Sequence, residues 1–399
     1  MHKTATQFIF FAYAASGKGI SGSDRIFIEL AKRWSAFAPL TLFVWEEGFQ
    51  MYKRQGLIAT ITTQVARMEP WRRLGFIINY FARIIYSIYI ASTLNLKNES
   101  STIIYSASEF WMDSLPAFIL KMRYKKARWV AAWFQTAPNP LKGFSAGNRE
   151  NTYKVSALFY WLVQLPIKPI ISRYADYVLI NNESEKKQFP RLDRQKRAIV
   201  LIGAVDLVDI EHFKQKHKQT KKSYDAVFQG RFHPQKGVVE IVKIWEKVVL
   251  TNSQAKLVMI GDGPLMDEVK LKIKDLKLEK NIELLGYVFD GDKKYSTFAQ
   301  SKMVVHPAFY DSGGMAAAEA MAFGLPCVGF NLKAYESYYP KGMVKATYGD
   351  LDEFAQLVTT FLQNSALREK IGREAQKMIY NNYSWDERAE QIYREIERN

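Results

Sequence analysis

Short, unbroken apolar runs alternate with amphipathic segments along nearly the whole chain, and this alternation restricts the fold more than any other feature. TQFIFFAYAAS, PLTLFVWEE, TIIYSAS, RWVAAWFQ, RYADYVLI and RAIVLIGAVDL in the first half carry such runs of strand length, as do YDAVFQGRF, AKLVMIGDGP, NIELLGYV, MVVHPAF and CVGF in the second. They lack the apolar–polar alternation of a half-exposed sheet, so they read as strands covered on both faces, the habit of parallel sheets. Helical segments fill the intervals. Asp24–Trp34, for example, puts Ile26, Phe27, Leu30, Ala31 and Trp34 on one face. The pattern predicts an α/β protein with a Rossmann-like, doubly wound parallel sheet in each half. The polar stretch 210–223, IEHFKQKHKQTKKS, shows no apolar period and reads as a linker, or as what directly follows one. The expected domains are therefore residues 1–204 and 205–382.

Composition narrows the setting. The chain has 399 residues, enough for two cores. Cys327 is its only cysteine, so no intrachain disulfide forms, which suits a reducing compartment. The N-terminal apolar run is of strand length and lacks a cleavage pattern, so no secretory signal is read. No eighteen apolar residues run without interruption: LGFIINYFARIIYSIYIASTL is cut by Arg83. The five histidines form no cluster with metal-ligand spacing, and no hydrolase nucleophile motif is present. The net charge of +16 is lopsided: residues 1–200 hold 28 Lys and Arg against 13 Asp and Glu, and residues 201–399 hold 28 against 27. Seven of the nine Trp also fall in the first 200 residues. A basic, aromatic half suggests an anionic partner, nucleic acid or a membrane leaflet, against the plain alternative of a solvated basic surface. Residues 70–96, with Arg72, Arg73 and Arg83 among bulky apolar side chains, suit either a membrane surface or a core helix.

Chemistry concentrates in Val304–Phe330. A buried strand leads to the turn Asp311-Ser312-Gly313-Gly314, a helix starts at Met315, and Gly324-Leu325-Pro326 stops it before CVGF. Gly313 and Gly314 lack Cβ, so backbone N–H groups there can approach a phosphate. Asp311 precedes the helix and Glu319 lies eight positions on, about 80° around the axis at ~3.6 residues per turn. Two carboxylates flanking an anion-friendly turn suit the hydroxyl groups at either end of a nucleotide-sugar. The plain alternative is a strong helix former, AAAEAMA, with Glu319 on a solvated face.

Other candidates stand at strand ends. Arg231 comes two residues after DAVFQ, past Gly230, and Lys236 five residues later before a helix, a pair able to hold a diphosphate and stabilise it as a leaving group. Gly17, Gly19 and Gly22 spell G-x-G-x-x-G after the first strand, and Glu46 and Glu47 follow the second. That supports a dinucleotide-dependent oxidoreductase as an alternative, though the loop serves a phosphate, a sugar or a tight turn equally well. Glu109, Asp113 and Gln135, at strand ends or helix starts, are the acceptor-side polar candidates. Asp290-Gly-Asp292 and Asp350-Leu-Asp352 precede helices and read as caps rather than as a metal pair.

The ordered set GRFHPQKG, MIGDGP, LLGYV and DSGGMAAAEAMAFGLPCVGF resembles the donor domain of retaining glycosyltransferases of GT-B fold, the glycosyl transferases group 1. The likeness covers roughly residues 200–380 and extends loosely to ISGSDRIFIELAKRW and ADYVLINNESEKKQF. It implies GT-B architecture, two Rossmann-like domains facing a cleft, with the last helix, 383–399, returning to the first domain. It implies Arg231 and Lys236 on the diphosphate, Glu319 on the ribose and Asp311 with the Gly313–Met315 backbone on the donor sugar. Tyr287 and Val288 would lie near the base, and the loop at Gly19 to Gly22 would close on the phosphates. It further implies sugar transfer from a nucleotide-diphosphate donor with retention and no metal or other cofactor. The basic first half, rather than the resemblance, adds the expectation of a glycan or lipid-linked acceptor at the cytoplasmic side, with an anionic membrane surface rather than nucleic acid as partner. Two positions depart from the family pattern: Asp311 stands where Glu is usual, and Gln135 where a first-domain His would be sought. These departures also admit a catalytically degenerate nucleotide-sugar-binding protein.

Overall fold

The computed structural model describes residues 5–15, 20–56, 61–67, 71, 73–141, 154–217, 220–311 and 315–398. The chain divides into two compact units. One runs to Ile202 and takes back the segment from Asp386; the other spans Gly203–Trp385.

The first unit is a seven-stranded parallel sheet. Its strands are β1 Gln7–Ala12, β2 Leu40–Trp45, β3 Ile61–Ala66, β4 Thr102–Ser106, β5 Arg128–Trp133, β6 Tyr177–Ile180 and β7 Ala198–Val200. They lie in the order β3-β2-β1-β4-β5-β6-β7. Helices α1 Gly22–Trp34, α2 Glu46–Arg54, α3 Phe76–Thr93, α4 Trp111–Arg123, α5 Lys154–Tyr174 and α6 Pro190–Arg194 connect them. β1 pairs with β2 and β4 and is covered on both faces. Phe8 stacks on Trp34 at 5.4 Å and Phe10 meets Tyr105 at 4.7 Å on one side. On the other, Ile9 and Phe11 join the core that holds Met112 and Trp129. α1 starts at a capping box in which Ser21 and Asp24 satisfy each other's backbone N–H groups.

The second unit is a six-stranded parallel sheet of β8 Ala226–Gln229, β9 Leu257–Ile260, β10 Ile282–Gly286, β11 Val304–His306, β12 Cys327–Phe330 and β13 Met343–Ala346. The order is β10-β9-β8-β11-β12-β13. Its helices are α7 Leu207–Lys216, α8 Val238–Thr251, α9 Met266–Asp275, α10 Asp292–Ala299, α11 Met315–Met321, α12 Lys333–Tyr338, α13 Leu351–Gln363 and α14 Ser365–Asn382. The final helix, α15 Trp385–Arg398, packs on α1 and β5 of the first unit. Trp34 Nε1 donates to the Ala389 carbonyl at 2.9 Å, Arg128 pairs with Glu397 at 2.6 Å, and Tyr393 stacks on Phe37 at 4.6 Å.

Local structure departs from the plain sequence pattern at three places. The segment read as a linker holds most of helix α7, because Ile210 and Phe213, three residues apart, share a buried face despite the charged surroundings. The break between units falls just before it, at Ile202 and Gly203. Pro166 and Pro169 do not break α5, which continues to Tyr174 with Val163, Ile167 and Ile171 anchored in the core. β3 is an edge strand, ITTQVA, whose exposed polar positions interrupt any continuous apolar run.

Candidate active site

Both sheets reverse direction of winding once. In the second unit the chain lays β9 and β10 on one side of β8 and then crosses to lay β11, β12 and β13 on the other. The carboxyl ends of β8 and β11 therefore diverge into a crevice, the usual ligand position in open α/β sheets. Arg231 and Lys236 follow β8, while Asp311 and Glu319 follow β11.

The two turns are joined tightly. The Gln235 carbonyl accepts from Phe309 N at 2.9 Å and Tyr310 N at 3.2 Å. Gly237 has φ of +64°, and a Cβ there would lie 2.0 Å from the Pro307 carbonyl oxygen, so only glycine permits this approach. Gly261 is under the same constraint: its Cβ would fall 1.9 Å from the Gly230 carbonyl oxygen.

Lys236 Nζ lies 3.0 Å from Asp311 Oδ1. Asp311 Oδ2 meets His306 Nε2 at 2.7 Å and accepts from Tyr335 at 2.8 Å. The aspartate is buried while Lys236 remains partly exposed, so the carboxylate fixes where the ammonium group points. Arg231 is exposed, and its guanidinium has no ion pair among the described residues. Burial, Arg231 and Lys236 together push His233 down to about 4, so its imidazole is neutral and caps the following turn by accepting from Gln235 N. Gly313 and Gly314 lie outside the described residues, as do the Met315 side chain and Ser312.

Glu319 has a buried partner that sequence reasoning missed. Lys294 donates to Glu319 Oε2 at 2.6 Å and to Asp290 Oδ1 at 2.7 Å. Gln229 Nε2 also donates to Glu319, at 3.2 Å, and Gln229 Oε1 is buried with no partner among the described residues. Asp290 thus serves as an ion-pair partner and not as the expected cap, whereas Asp350 does cap its helix through Asp352 N and Glu353 N. The signal for Lys294 was its i,i+4 spacing from Asp290. At the carboxyl end of β10, Tyr287 and Phe289 are exposed and in edge contact at 5.0 Å, with half-buried Val288 between them. Phe289 was not anticipated.

The first unit winds the same way, with its reversal between β1 and β4. Asp113 spans that point: its Oδ1 accepts from Ala14 N at 3.1 Å and its Oδ2 from Ser108 at 2.6 Å. It is buried, so it positions the turn after β1 and does not face solvent. Burial pushes its carboxyl up to about 8, against the opposing pull of those hydrogen bonds. Glu109 is also turned inward, bonded to Tyr160, and burial raises its pKa. The Gln135 carbonyl accepts from Gln164 at 2.7 Å and Tyr160 at 3.2 Å. Its side-chain amide has no bond among the described residues. Tyr160 and Gln164 on α5 thus organise the predicted acceptor-side residues, a link that spacing did not show. Gly22 is exposed at the start of α1, while Gly17 and Gly19 lie outside the described residues. Glu46 and Glu47 form the first turn of α2, and Glu47 pairs with Arg83 at 3.2 Å, so it is no unencumbered ribose acid. Among the described residues no group of His, Cys, Asp and Glu is arranged to hold a metal.

Residues 209–378 match the family model of Glycosyl transferases group 1. An uncharacterized glycosyltransferase of Methanocaldococcus jannaschii is 29% identical over 175 residues, covering 41% of this chain and 42% of that protein. A poly(ribitol-phosphate) alpha-N-acetylglucosaminyltransferase of Staphylococcus aureus is 27% identical over 180 residues, covering 43% and 35%. The chain thus spans less than half the length of both relatives. The Anabaena protein HepE, solved in complex with UDP-glucose, superposes over 100% of both chains with a TM-score of 0.69 and 16% identity.

The fold is GT-B. The two GT-B sheets are those described above, and the family match falls inside the second, around the crevice between β8 and β11. The GT-B likeness to HepE, by contrast, extends through both units.

Proposed function

We propose that this GT-B protein is a glycosyltransferase that moves a sugar from a nucleotide-diphosphate donor to an acceptor hydroxyl with retention of configuration. The observation that carries the proposal is the crevice of the second unit, where Arg231, Lys236, Asp311 and Glu319 converge from two strands. Arg231 and Lys236 would neutralise the diphosphate as it leaves. Glu319, held by Lys294, and the unpartnered Gln229 Oε1 offer acceptors to ribose hydroxyls. Tyr287 and Phe289 offer apolar faces to the base. In the reaction the acceptor oxygen bonds to the anomeric carbon, the bond from that carbon to the diphosphate breaks, and the leaving diphosphate takes the acceptor proton. This scheme uses no metal or other cofactor.

A uridine diphosphate sugar is the first donor to test, since HepE was solved with UDP-glucose. A glycan or lipid-linked alcohol is the acceptor class, and the cytoplasmic side is the compartment. Calorimetric titration with uridine, guanosine and adenosine diphosphate sugars, followed by turnover with extracted lipid acceptors, tests the reading. Donor affinity unchanged in Arg231→Ala would remove the phosphate assignment. Donor binding without turnover would leave a nucleotide-sugar sensor.

A further inference from the structure

α3 and α5 are apolar on the faces they turn away from the first unit's core. On α3, Tyr80, Ile84, Ser87 and Ala91 face inward, while Ile77, Phe81 and Ile85 form an outward stripe at four-residue spacing. Ile77 is 67% exposed and Ile85 is 69% exposed. Arg83, which interrupts the apolar run in sequence, does not interrupt this stripe. It is buried, donates to the Tyr13 carbonyl at 2.9 Å, and lies over the Trp45 ring at 4.8 Å. On α5, Leu158, Leu162 and Leu165 are exposed in the same way. Phe159 joins the two helices through edge contacts with Phe76 at 5.6 Å and Tyr80 at 5.7 Å. A helix apolar on both faces is stable in water only when both are covered.

Charge identifies the cover. No Asp or Glu occurs from Pro70 to Asn98 or from Asn151 to Ala175. Arg73, Lys97 and Lys154, at the ends of the two helices, are exposed. Apolar stripes framed by cations and free of anions match the interface of an anionic bilayer, where acyl chains take the apolar side chains and headgroups take the charges. Trp71 and Trp161 add exposed indoles suited to that depth. α3 is long and apolar enough to cross a membrane, but Arg83 and its inner face anchor it to the sheet. It would therefore lie in the membrane plane.

We propose that the outward faces of α3 and α5 dock the protein on an anionic lipid bilayer by shallow insertion. The same helices hold the carboxyl-end turns from their inner faces: α3 through Arg83 on the turn after β1, and α5 through Tyr160 and Gln164 on Gln135. Docking thus sets those turns beside the lipid surface. The inference stands apart from the transferase reading, because lipid binding needs neither donor nor turnover.

The test is co-sedimentation of the full chain with phosphatidylglycerol or phosphatidylcholine vesicles, with free UDP binding measured alongside. Phosphatidylglycerol should bind the protein, phosphatidylcholine much less. Phe81→Glu with Ile85→Glu, and separately Leu158→Glu with Leu162→Glu, should each weaken binding by about tenfold or more, since each places charge where apolar area is buried. Leu250→Glu, an exposed leucine of the second unit, should leave it unchanged. Brominated phosphatidylglycerol should quench tryptophan emission of the unmodified chain, and Trp161→Phe should reduce that quenching. Absence of vesicle binding, equal binding by all variants, or a dimer that the glutamates dissociate without vesicle binding would each overturn the proposal.

Discussion

Lys294 bridges Glu319 and Asp290 at 2.6 and 2.7 Å with its own side chain 2% exposed, so one buried ammonium group supports the carboxylate assigned to the ribose. Removing one partner of a buried pair leaves an uncompensated charge and costs about 3–5 kcal/mol. Lys294→Met should therefore destabilise the second unit by roughly that amount and weaken donor binding. Adding Glu319→Gln to Lys294→Met should cost less than the two separate losses combined. Chemical denaturation of the four-member cycle checks this, and strict additivity would refute the coupling.

Arg231 is exposed and Lys236 only partly buried, so their removal should spare the fold and affect the ligand. Charge-assisted hydrogen bonds contribute about 1.5–3 kcal/mol each, or roughly 10- to 100-fold in affinity. Arg231→Ala and Lys236→Ala should weaken UDP binding by that order in calorimetry. Thermal midpoints should shift little for Arg231→Ala and more for Lys236→Ala, which removes the ion pair with Asp311.

Among the described residues, Asp311 is fitted against His306, Tyr335 and Lys236. Although Glu is the usual residue of the family that the motif resembles, an added methylene in this packed site should cost about 1–3 kcal/mol. Asp311→Glu should therefore lower the thermal midpoint. A midpoint equal to or above that of the unmodified chain would show that the site holds room for the longer acid.

Asp113 should make stability depend on pH. Burial raises its carboxyl from 3.8 to about 8 in the folded chain. The folded state then holds a proton that the unfolded state has released, so this contribution is full below about pH 4 and is lost as pH rises through about 8. Asp113→Asn keeps an acceptor for Ala14 N and supplies a donor to Ser108 without ionising. The stability difference between Asp113→Asn and the unmodified chain should move in favour of the asparagine as pH increases from 5 to about 8. Denaturation series at each pH measure this, and a difference constant with pH would contradict the assignment.

Tyr287 and Phe289 should act on the base rather than the phosphates. Replacing either exposed ring with Ala should weaken a nucleoside diphosphate by about 1–3 kcal/mol, the scale of aromatic–base stacking, with little effect on inorganic pyrophosphate. Equal losses for both ligands would place these rings elsewhere.

Much of this was legible in the sequence because it is local. Strands covered on both faces betray themselves as apolar runs, and the turns after them carry Arg231, Lys236 and Asp311 in plain view. β3 escaped because an edge strand keeps polar residues on its open side. α7 escaped because two buried residues, Ile210 and Phe213, suffice to seat it. Glu109 and Asp113 stood at the predicted strand end and helix start, but only packing turned their carboxyls inward.

The sequence by itself determined the alternation of strands and helices, the cationic turn after β8 and the acid-bearing unit after β11. These follow from periodicity and from backbone freedom at glycine, which neighbours along the chain dictate. Tertiary structure alone decided that Lys236 meets Asp311, 75 positions later, and that Lys294 reaches Glu319. It also decided that Arg83 turns inward and leaves the outer stripe of α3 wholly apolar. The reason is that strand order sets which distant side chains share a crevice or a face, and local propensity carries no record of strand order.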